Sequence, residues 1–294
     1  MSDLKVYLKN QAKLVDQALK TALPKGNVRP ATLHQAMRYS VFAGGKRLRP
    51  ILTLASAEAC GGNPEDALPL ACSVEGLHTY SLIHDDLPSM DDDDMRRGNP
   101  TCHKVYGEAV AVLAGDALQA FSFEMVGRAK ETSRYPMRTL LGEMASTAGS
   151  HALIAGQVMD MEGEGKKLTK GQVVAIHERK TAALLTTSLR FGAMSANASP
   201  NKLAGITQVG HSLGLAFQVI DDILDVTQSS AKLGKSAGKD EAVDKSTFPA
   251  LIGLEKSRKE AAKLTAQAHR ALKEMRMSKS RLSEIVDYML ERDY

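Results

Sequence analysis

The chain has 294 residues, 43% of them hydrophobic and 24% charged, an ordinary globular balance with length enough for one or two domains and a large core. Lys+Arg 38 against Asp+Glu 34 leaves a net charge of +4, too small for a dedicated nucleic-acid binder, and 4% aromatics with no Trp exclude a stacking platform for single strands. Cys60, Cys72 and Cys102 show no metal-ligand spacing, and their odd number argues against a disulfide framework.

The N-terminal stretch MSDLKVYLKNQAKL is amphipathic and carries no secretory apolar core. No run approaches ~18 uninterrupted apolar residues, so the expectation is a cytoplasmic chain with no membrane span. Helix formers dominate throughout, and strand-like alternation is nearly absent. Pro24, Gly26 and Pro30 precede a helix near residues 31–43, which Gly44-Gly45 closes. Pro50 suits the first turn of the next helix, and Gly61-Gly62 ends it. Asn63-Pro64-Glu65-Asp66 reads as an N-cap, an N1 proline and an acidic first turn, with Pro69 marking a restart. That helix runs to about Asp86, with Leu70, Val74, Leu77 and Ser81 on one face. A loop over roughly 88–104 leads to a helix from Gly107 to about Arg128 and another over 137–161. Thr169 and Gln172 form a capping box that opens a helix to about Ala196. Ser199-Pro200 caps one that ends near Val226. The Ser-, Gly- and Lys-rich segment 228–246 reads as a mobile loop, and helices resume at about 248–276 and 280–292. With no sheet, no repeat and no linker, residues 1–294 read as a single all-α domain of about ten helices.

Chemistry concentrates in two acidic clusters. Asp85 and Asp86 end an apolar run (Tyr80, Leu82, Ile83), and Asp91–Asp94 follow within one short segment. Taken alone, this cluster fits a solvated or calcium-sticky turn as well as a magnesium site. The second cluster, Gln218-Val219-Ile220-Asp221-Asp222-Ile223-Leu224-Asp225, lies in an apolar helix, where Asp221 and Asp225 share a face as i and i+4. Acids in an apolar helix are costly without a counter-charge. Two such walls facing each other can share Mg²⁺, which commonly bridges carboxylates to substrate phosphates. On a continuous helix Asp85 would share a face with Asp92, not Asp91, but Pro88 loosens the backbone and lets Asp91 swing toward the metal. Candidate phosphate-binding cations are Lys46, Arg47 and Arg49 beside Gly44-Gly45; Arg96 and Arg97; Lys180; and Lys235, Lys239 and Lys245. Lys239 fits surface charge as well as a phosphate contact. His78 lies two turns before Asp85, Gln157 and Asp160 can face a cavity, and Cys102-His103 reads as a loop dipeptide.

With GGKRLRP at 44–50, HTYSLIHDDLPSMDDDDMRRG at 78–98, the Lys180-Thr181 pair and FQVIDDILD at 217–225, the chain resembles the trans-isoprenyl diphosphate synthases over roughly residues 40–250. The resemblance implies an all-α isoprenoid-synthase fold around a central cavity, usually as a homodimer. It implies condensation of isopentenyl diphosphate with an allylic diphosphate, with about three Mg²⁺ per site and Mn²⁺ as a substitute. Carried onto this chain, Asp85, Asp91 and Asp221 become metal ligands, with Asp86, Asp222 and Asp225 beside them. Lys46, Arg49, His78 and Arg97 become isopentenyl diphosphate contacts. Arg96, Lys180, Lys235 and Lys245 become allylic diphosphate contacts, and Thr181 and Gln218 lie beside the reacting carbon. The loop 228–246 is expected to order over bound diphosphates.

Tyr80 and Ser81, five and four residues before Asp85, are placed to form the floor of the product pocket. An aromatic at the fifth position, with a two-residue insertion in the first motif, resembles the bacterial farnesyl (C15) pattern. Geranylgeranyl (C20) or geranyl (C10) synthesis is the alternative. A class I terpene cyclase would need a more aromatic lining. A non-catalytic synthase subunit would tend to lose the acidic motifs. A di-iron bundle would need a second copy of the Glu75–His78 spacing, and the sequence has none.

Overall fold

The computed structural model describes residues 3–227 and 246–290. The expected loop 228–246 lies almost wholly outside them, as do Lys235, Lys239, Lys245 and the end of the last expected helix. The described chain is helical nearly throughout: α1 (Asp3–Ala22), α2 (Ala31–Phe42), α3 (Leu48–Ala59), α4 (Leu68–Asp85), α5 (Cys102–Tyr106), α6 (Glu108–Gly127), α7 (Met137–Ala148), α8 (Leu153–Gly163), α9 (Lys170–His177), α10 (Ala183–Ser195), α11 (Pro200–Thr227), α12 (Phe248–Ile252), α13 (Leu254–Glu274) and α14 (Arg281–Leu290).

α4 is buried on almost every side, from Leu70 to Leu77 without a break. A helix with no polar stripe belongs in the centre of a bundle, and α4 packs among α3, α6 and α10. α11 is the second interior helix, held between α10 and α13. α3 and α10 contribute to both halves of the core. Leu54 and Phe191 join the cluster around α4 and α6, while Ile51 and Leu189 join the cluster around α11 and α13. The buried Ser56 hydroxyl donates to the Leu189 carbonyl at 2.7 Å and ties these two helices together. α6 and α11 are each long and apolar enough to cross a membrane. A search for uninterrupted apolar runs misses both; in this fold α6 packs one face against α4, and α11 lies between α10 and α13.

Three expected helices are interrupted. The 137–161 helix breaks between α7 and α8, where Gly149 and Ala152 leave helical geometry. The 248–276 helix breaks at Gly253, whose φ of +82° ends α12 and starts α13. The 169–196 helix is continuous in outline but contains a π-helical turn over Glu178–Ala182. The 88–104 segment holds a two-residue antiparallel ladder, Met95–Arg96 against Asn99–Pro100, where no strand is expected. Arg97 and Gly98 both have positive φ, 53° and 79°. That is the requirement of the tight hairpin turns that match strand twist. The hairpin projects Arg96 and Arg97 from a fixed backbone. Pro64–Ala67 form a 3₁₀ turn, and α4 starts at Leu68 with Pro69 in its first turn, as the restart expects.

Candidate active site

Between α2 and α3 the chain reverses through Gly44, Gly45 and Arg47, with φ of 101°, 122° and 53°. A non-glycine residue in the left-handed region needs other contacts to hold it. Arg47 has them. Its Nε donates to Asp16 at 2.8 Å, Nη1 to Glu75 at 2.7 Å and Nη2 to the Val41 carbonyl at 2.6 Å. Burial alone would push this guanidinium down; Glu75 and Asp16 outweigh it and hold it above its ordinary value. Arg47 therefore fastens the turn, and Arg49 faces inward.

Arg49 Nη1 lies 3.1 Å from His78 Nε2. His78 is held well below its ordinary pKa, first by burial and then by Arg49, Arg97, Arg96 and Arg47. It is thus a neutral imidazole whose Nε2 accepts from Arg49. Burial pushes Arg49 itself down to about 10; Glu75 and Asp221 pull it back up, while Arg97 opposes them. The Arg49 Nε is buried without a hydrogen-bond partner. Arg97 Nη1 donates to the Gly44 carbonyl. A Cβ on Gly45 would lie 2.6 Å from that nitrogen, so the close approach requires glycine. Lys46 is exposed at the rim.

α4 ends at Asp85, and the following turn folds back on it. Asp91 N–H donates to the Asp85 carbonyl at 2.8 Å, Asp92 N–H to Leu87 at 3.1 Å and Asp93 N–H to Asp86 at 3.3 Å. The fold-back at Pro88 thus brings the Asp91 backbone against that of Asp85. Burial pushes the Asp85 carboxyl up to about 6; Lys180 pulls it down, and Asp91 pushes it further up. Asp86 points elsewhere. It is buried, and Arg96 Nε meets both its oxygens at 2.8 Å.

The facing wall comes from the π turn. Its wider coil places Lys180 and Thr181 beside α8, where Gly156 leaves room. A Cβ there would lie 2.3 Å from the Lys180 backbone nitrogen. π turns inserted in helices concentrate at functional sites. Lys180 Nζ donates to the buried Asp160 at 2.7 Å. Thr181 Oγ1 donates to Gln218 Oε1 at 3.0 Å, and Gln218 Nε2 donates to Asp222 Oδ1 at 3.3 Å. The other Asp222 oxygen accepts the Phe248 N–H at 3.0 Å, and the His177 ring stacks on Phe248. Asp222 is therefore buried and ties α11 to α12. Asp225 is buried one turn further along, and Asp221 is half-buried.

These groups enclose a cavity of about 130 Å³, lined by Arg49, His78, Ser81, Asp85, Gln157, Lys180 and Thr181 together with Leu82, Leu153 and Leu184. Gln157 Oε1 is buried and unpartnered there. Ser81 donates to the His78 carbonyl at 2.9 Å. Tyr80, by contrast, is buried beside the chamber, its ring edge-on to His84 at 4.9 Å. Sequence reasoning misses Arg47 as a clamp and Glu75 as its partner. A buried acid in an apolar helix, one turn before His78, was the available signal.

A cation-rich recess beside clustered carboxylates, in one chamber of an all-α bundle, is the arrangement that the resemblance to the isoprenyl diphosphate synthases implies. The polyprenyl synthetase family model matches residues 30–289. The large subunit 1 of the chloroplastic heterodimeric geranylgeranyl pyrophosphate synthase of Arabidopsis thaliana is 49% identical, over 90% of this chain and 73% of that protein. The farnesyl diphosphate synthase of Geobacillus stearothermophilus is 43% identical, over 95% of each. The crystal structure of the Helicobacter pylori geranyltransferase complexed with magnesium and isoprenyl diphosphate superposes with a TM-score of 0.84 at 34% identity, covering 99% of this chain and 97% of that one. The chain belongs to the polyprenyl synthetase family, whose reaction is prenyl transfer in isoprenoid biosynthesis and uses divalent metal.

Proposed function

We propose that the chain joins isopentenyl diphosphate to dimethylallyl and then geranyl diphosphate, giving mainly (2E,6E)-farnesyl diphosphate. The observation that carries this reading is the shared chamber: Asp85, Lys180 and the Arg49–His78 pair line one cavity, and the charge of Asp221 reaches Arg49.

The donor set fits divalent metal. Asp85 and Asp91 are crowded together, and burial has already raised Asp85 to about 6, the state a nearby cation would reverse. Asp85, Asp91 and Asp221 would hold Mg²⁺ (or Mn²⁺), with Asp225 in support. When bound, the metal neutralises charge on the allylic diphosphate as it departs. Asp86 and Asp222 orient Arg96 and the Gln218 amide.

Arg49 and Arg97, with Lys46 at the rim and neutral His78 as a hydrogen-bonding partner, bind the isopentenyl diphosphate. The unpaired Arg49 Nε is a donor in want of an anion. Arg96 and Lys180, with Lys235 and Lys245 from outside the described residues, bind the allylic diphosphate. Lys180 exchanges Asp160 for phosphate oxygen as the substrate enters. The Thr181 hydroxyl and the Gln218 amide place dipoles beside the allylic carbon, where they stabilise positive charge without capturing it. The isopentenyl double bond attacks that carbon, and the released diphosphate accepts the proton. Leu82, Leu153 and Leu184 keep the chamber apolar where water would quench the cation.

Tyr80, five residues before Asp85, supports the C15 product. The C20 reading rests on the geranylgeranyl relatives. A cytoplasmic homodimer completes the proposal, with Val112 and Leu113 exposed on α6 as apolar surface for a second copy. The test is one incubation of purified protein with Mg²⁺, labelled isopentenyl diphosphate and each allylic starter, with chain lengths read by chromatography. Farnesyl diphosphate as the main product supports the proposal. Products that form without isopentenyl diphosphate would point to a cyclase and overturn it.

A further inference from the structure

Beyond the chamber, the segment after Asp91 builds a second polar cluster to which the proposed reaction assigns no role. One ligand atom each from Asp92, Asp94 and His103 lies within 4.8 Å of the others. The two carboxylates are exposed, and His103 is 7% exposed at the start of α5.

The hydrogen bonds around Thr101 orient the imidazole. The Thr101 hydroxyl has one proton. It lies 2.7 Å from the Asp93 carbonyl, which can only accept, so that proton is committed there. His103 Nδ1 sits 3.2 Å from the same hydroxyl oxygen and must therefore be its donor. When the ring carries a single proton, that proton on Nδ1 leaves a lone pair on Nε2. That atom is buried and has no hydrogen-bond partner. A buried acceptor left unpaired is costly in a structure that gains nothing from it. Metal-binding histidines are oriented by a hydrogen bond from the other ring nitrogen, and here His103 Nδ1 donates one to the Thr101 hydroxyl.

We propose that Asp92, Asp94 and His103 bind one divalent transition-metal ion, of the Zn²⁺ or Mn²⁺ class. An imidazole with two carboxylates favours such ions over Mg²⁺, which prefers oxygen donors throughout. Lys104 Nζ, 2.7 Å from Asp94, is the exposed charge the ion displaces. The backbone of this segment is anchored on the same threonine, since Thr101 N–H donates to the Asp94 carbonyl at 2.9 Å. An ion here therefore fixes the turn that carries Asp91, from outside the chamber. The inference does not depend on the prenyl-transfer reading.

The test counts metal rather than turnover. Chelator-stripped full-length protein is dialysed against micromolar Zn²⁺ in millimolar Mg²⁺, which occupies the oxygen-only sites, and bound zinc is measured by elemental mass spectrometry. Wild type should retain one more zinc ion per chain than His103→Gln, and diffraction at the zinc edge should place an anomalous peak among the three side chains. Should His103→Gln fail to fold, Asp92→Asn carries the comparison, because Asp92 is exposed with φ of 48° and asparagine tolerates that conformation. Equal zinc in wild type and in the folded variant, or an anomalous peak only at Asp85, Asp91 or Asp221, overturns the proposal.

Discussion

Asp85→Asn should make the metal-free protein more stable. The wild-type carboxyl is raised from 3.8 to about 6, chiefly by burial. Each pKa unit corresponds to about 1.4 kcal/mol of difference between the protonation states, so the folded, ionised form carries a penalty of up to ~3 kcal/mol. Asp85 is only half-buried, and solvent screening brings the expected gain on neutralisation to ~1–3 kcal/mol. In a chain of this size that raises Tm by roughly 2–5 °C.

The pH dependence follows from the direction of the shift. Between pH 3.8 and about 6 the folded state binds more protons than the unfolded one, so wild-type stability falls as pH rises through that window. Asparagine does not titrate. The two proteins should melt together near pH 4 and diverge to the full gap above pH 6. Thermal melts in chelator across pH 4–8 measure this, and prenyl transfer by Asp85→Asn should fall ~100-fold or more. If the variant melts at or below wild type at pH 7.5 without metal, Asp85 is not a strained carboxylate, and the electrostatic account of the chamber fails.

Other perturbations test separate parts of the structure. Tyr80→Ala should lengthen the product beyond C15, and an unchanged chain-length distribution on chromatography would remove Tyr80 as the floor. Arg47→Met leaves the buried Glu75 without its partner; urea denaturation should show a loss of ~3–5 kcal/mol, and Glu75→Gln in the same chain should restore part of it. Gly156→Ala forces a Cβ to within 2.3 Å of the Lys180 backbone; it should cost ~1–3 kcal/mol in the same assay and lower kcat as the π turn is displaced. Burial pushes the Cys60 thiol up from 9.0 to about 11. Less thiolate at pH 8 means iodoacetamide should modify Cys60 ~100-fold more slowly than a free thiol, and equal rates would contradict its placement.

The helices were legible because their breakers are local. Gly44-Gly45, Gly61-Gly62, Thr169 and Ser199-Pro200 act through their own backbone or side-chain chemistry. The interruptions that the sequence hid depend on partners distant in the chain. The Glu178–Ala182 π turn adds one residue to a coil without changing its helix-forming composition, and it exists where Gly156 of α8 lets the backbone approach. The Arg96–Arg97 hairpin was hidden because an arginine holds a positive-φ position that usually signals itself through glycine or asparagine.

The acidic doublets show most clearly how far residue identity reaches. Neighbouring residues on a helix point about 100° apart, so the two carboxylates of Asp85-Asp86, and those of Asp221-Asp222, leave the backbone in different directions. The sequence establishes that such acids must be compensated, but it does not say which member of a pair faces inward. Packing decides that. Asp86 meets Arg96 at the base of the hairpin, and Asp222 meets the Gln218 amide and the Phe248 N–H at the start of α12. In each pair one acid stays in the field of the chamber, with Asp85 feeling Lys180 and Asp221 reaching Arg49. Its neighbour fastens a separate piece of chain, the Arg96–Arg97 hairpin in one case and the return of the chain at Thr247–Phe248 in the other. The second aspartate of each motif thus couples chamber geometry to an adjoining segment.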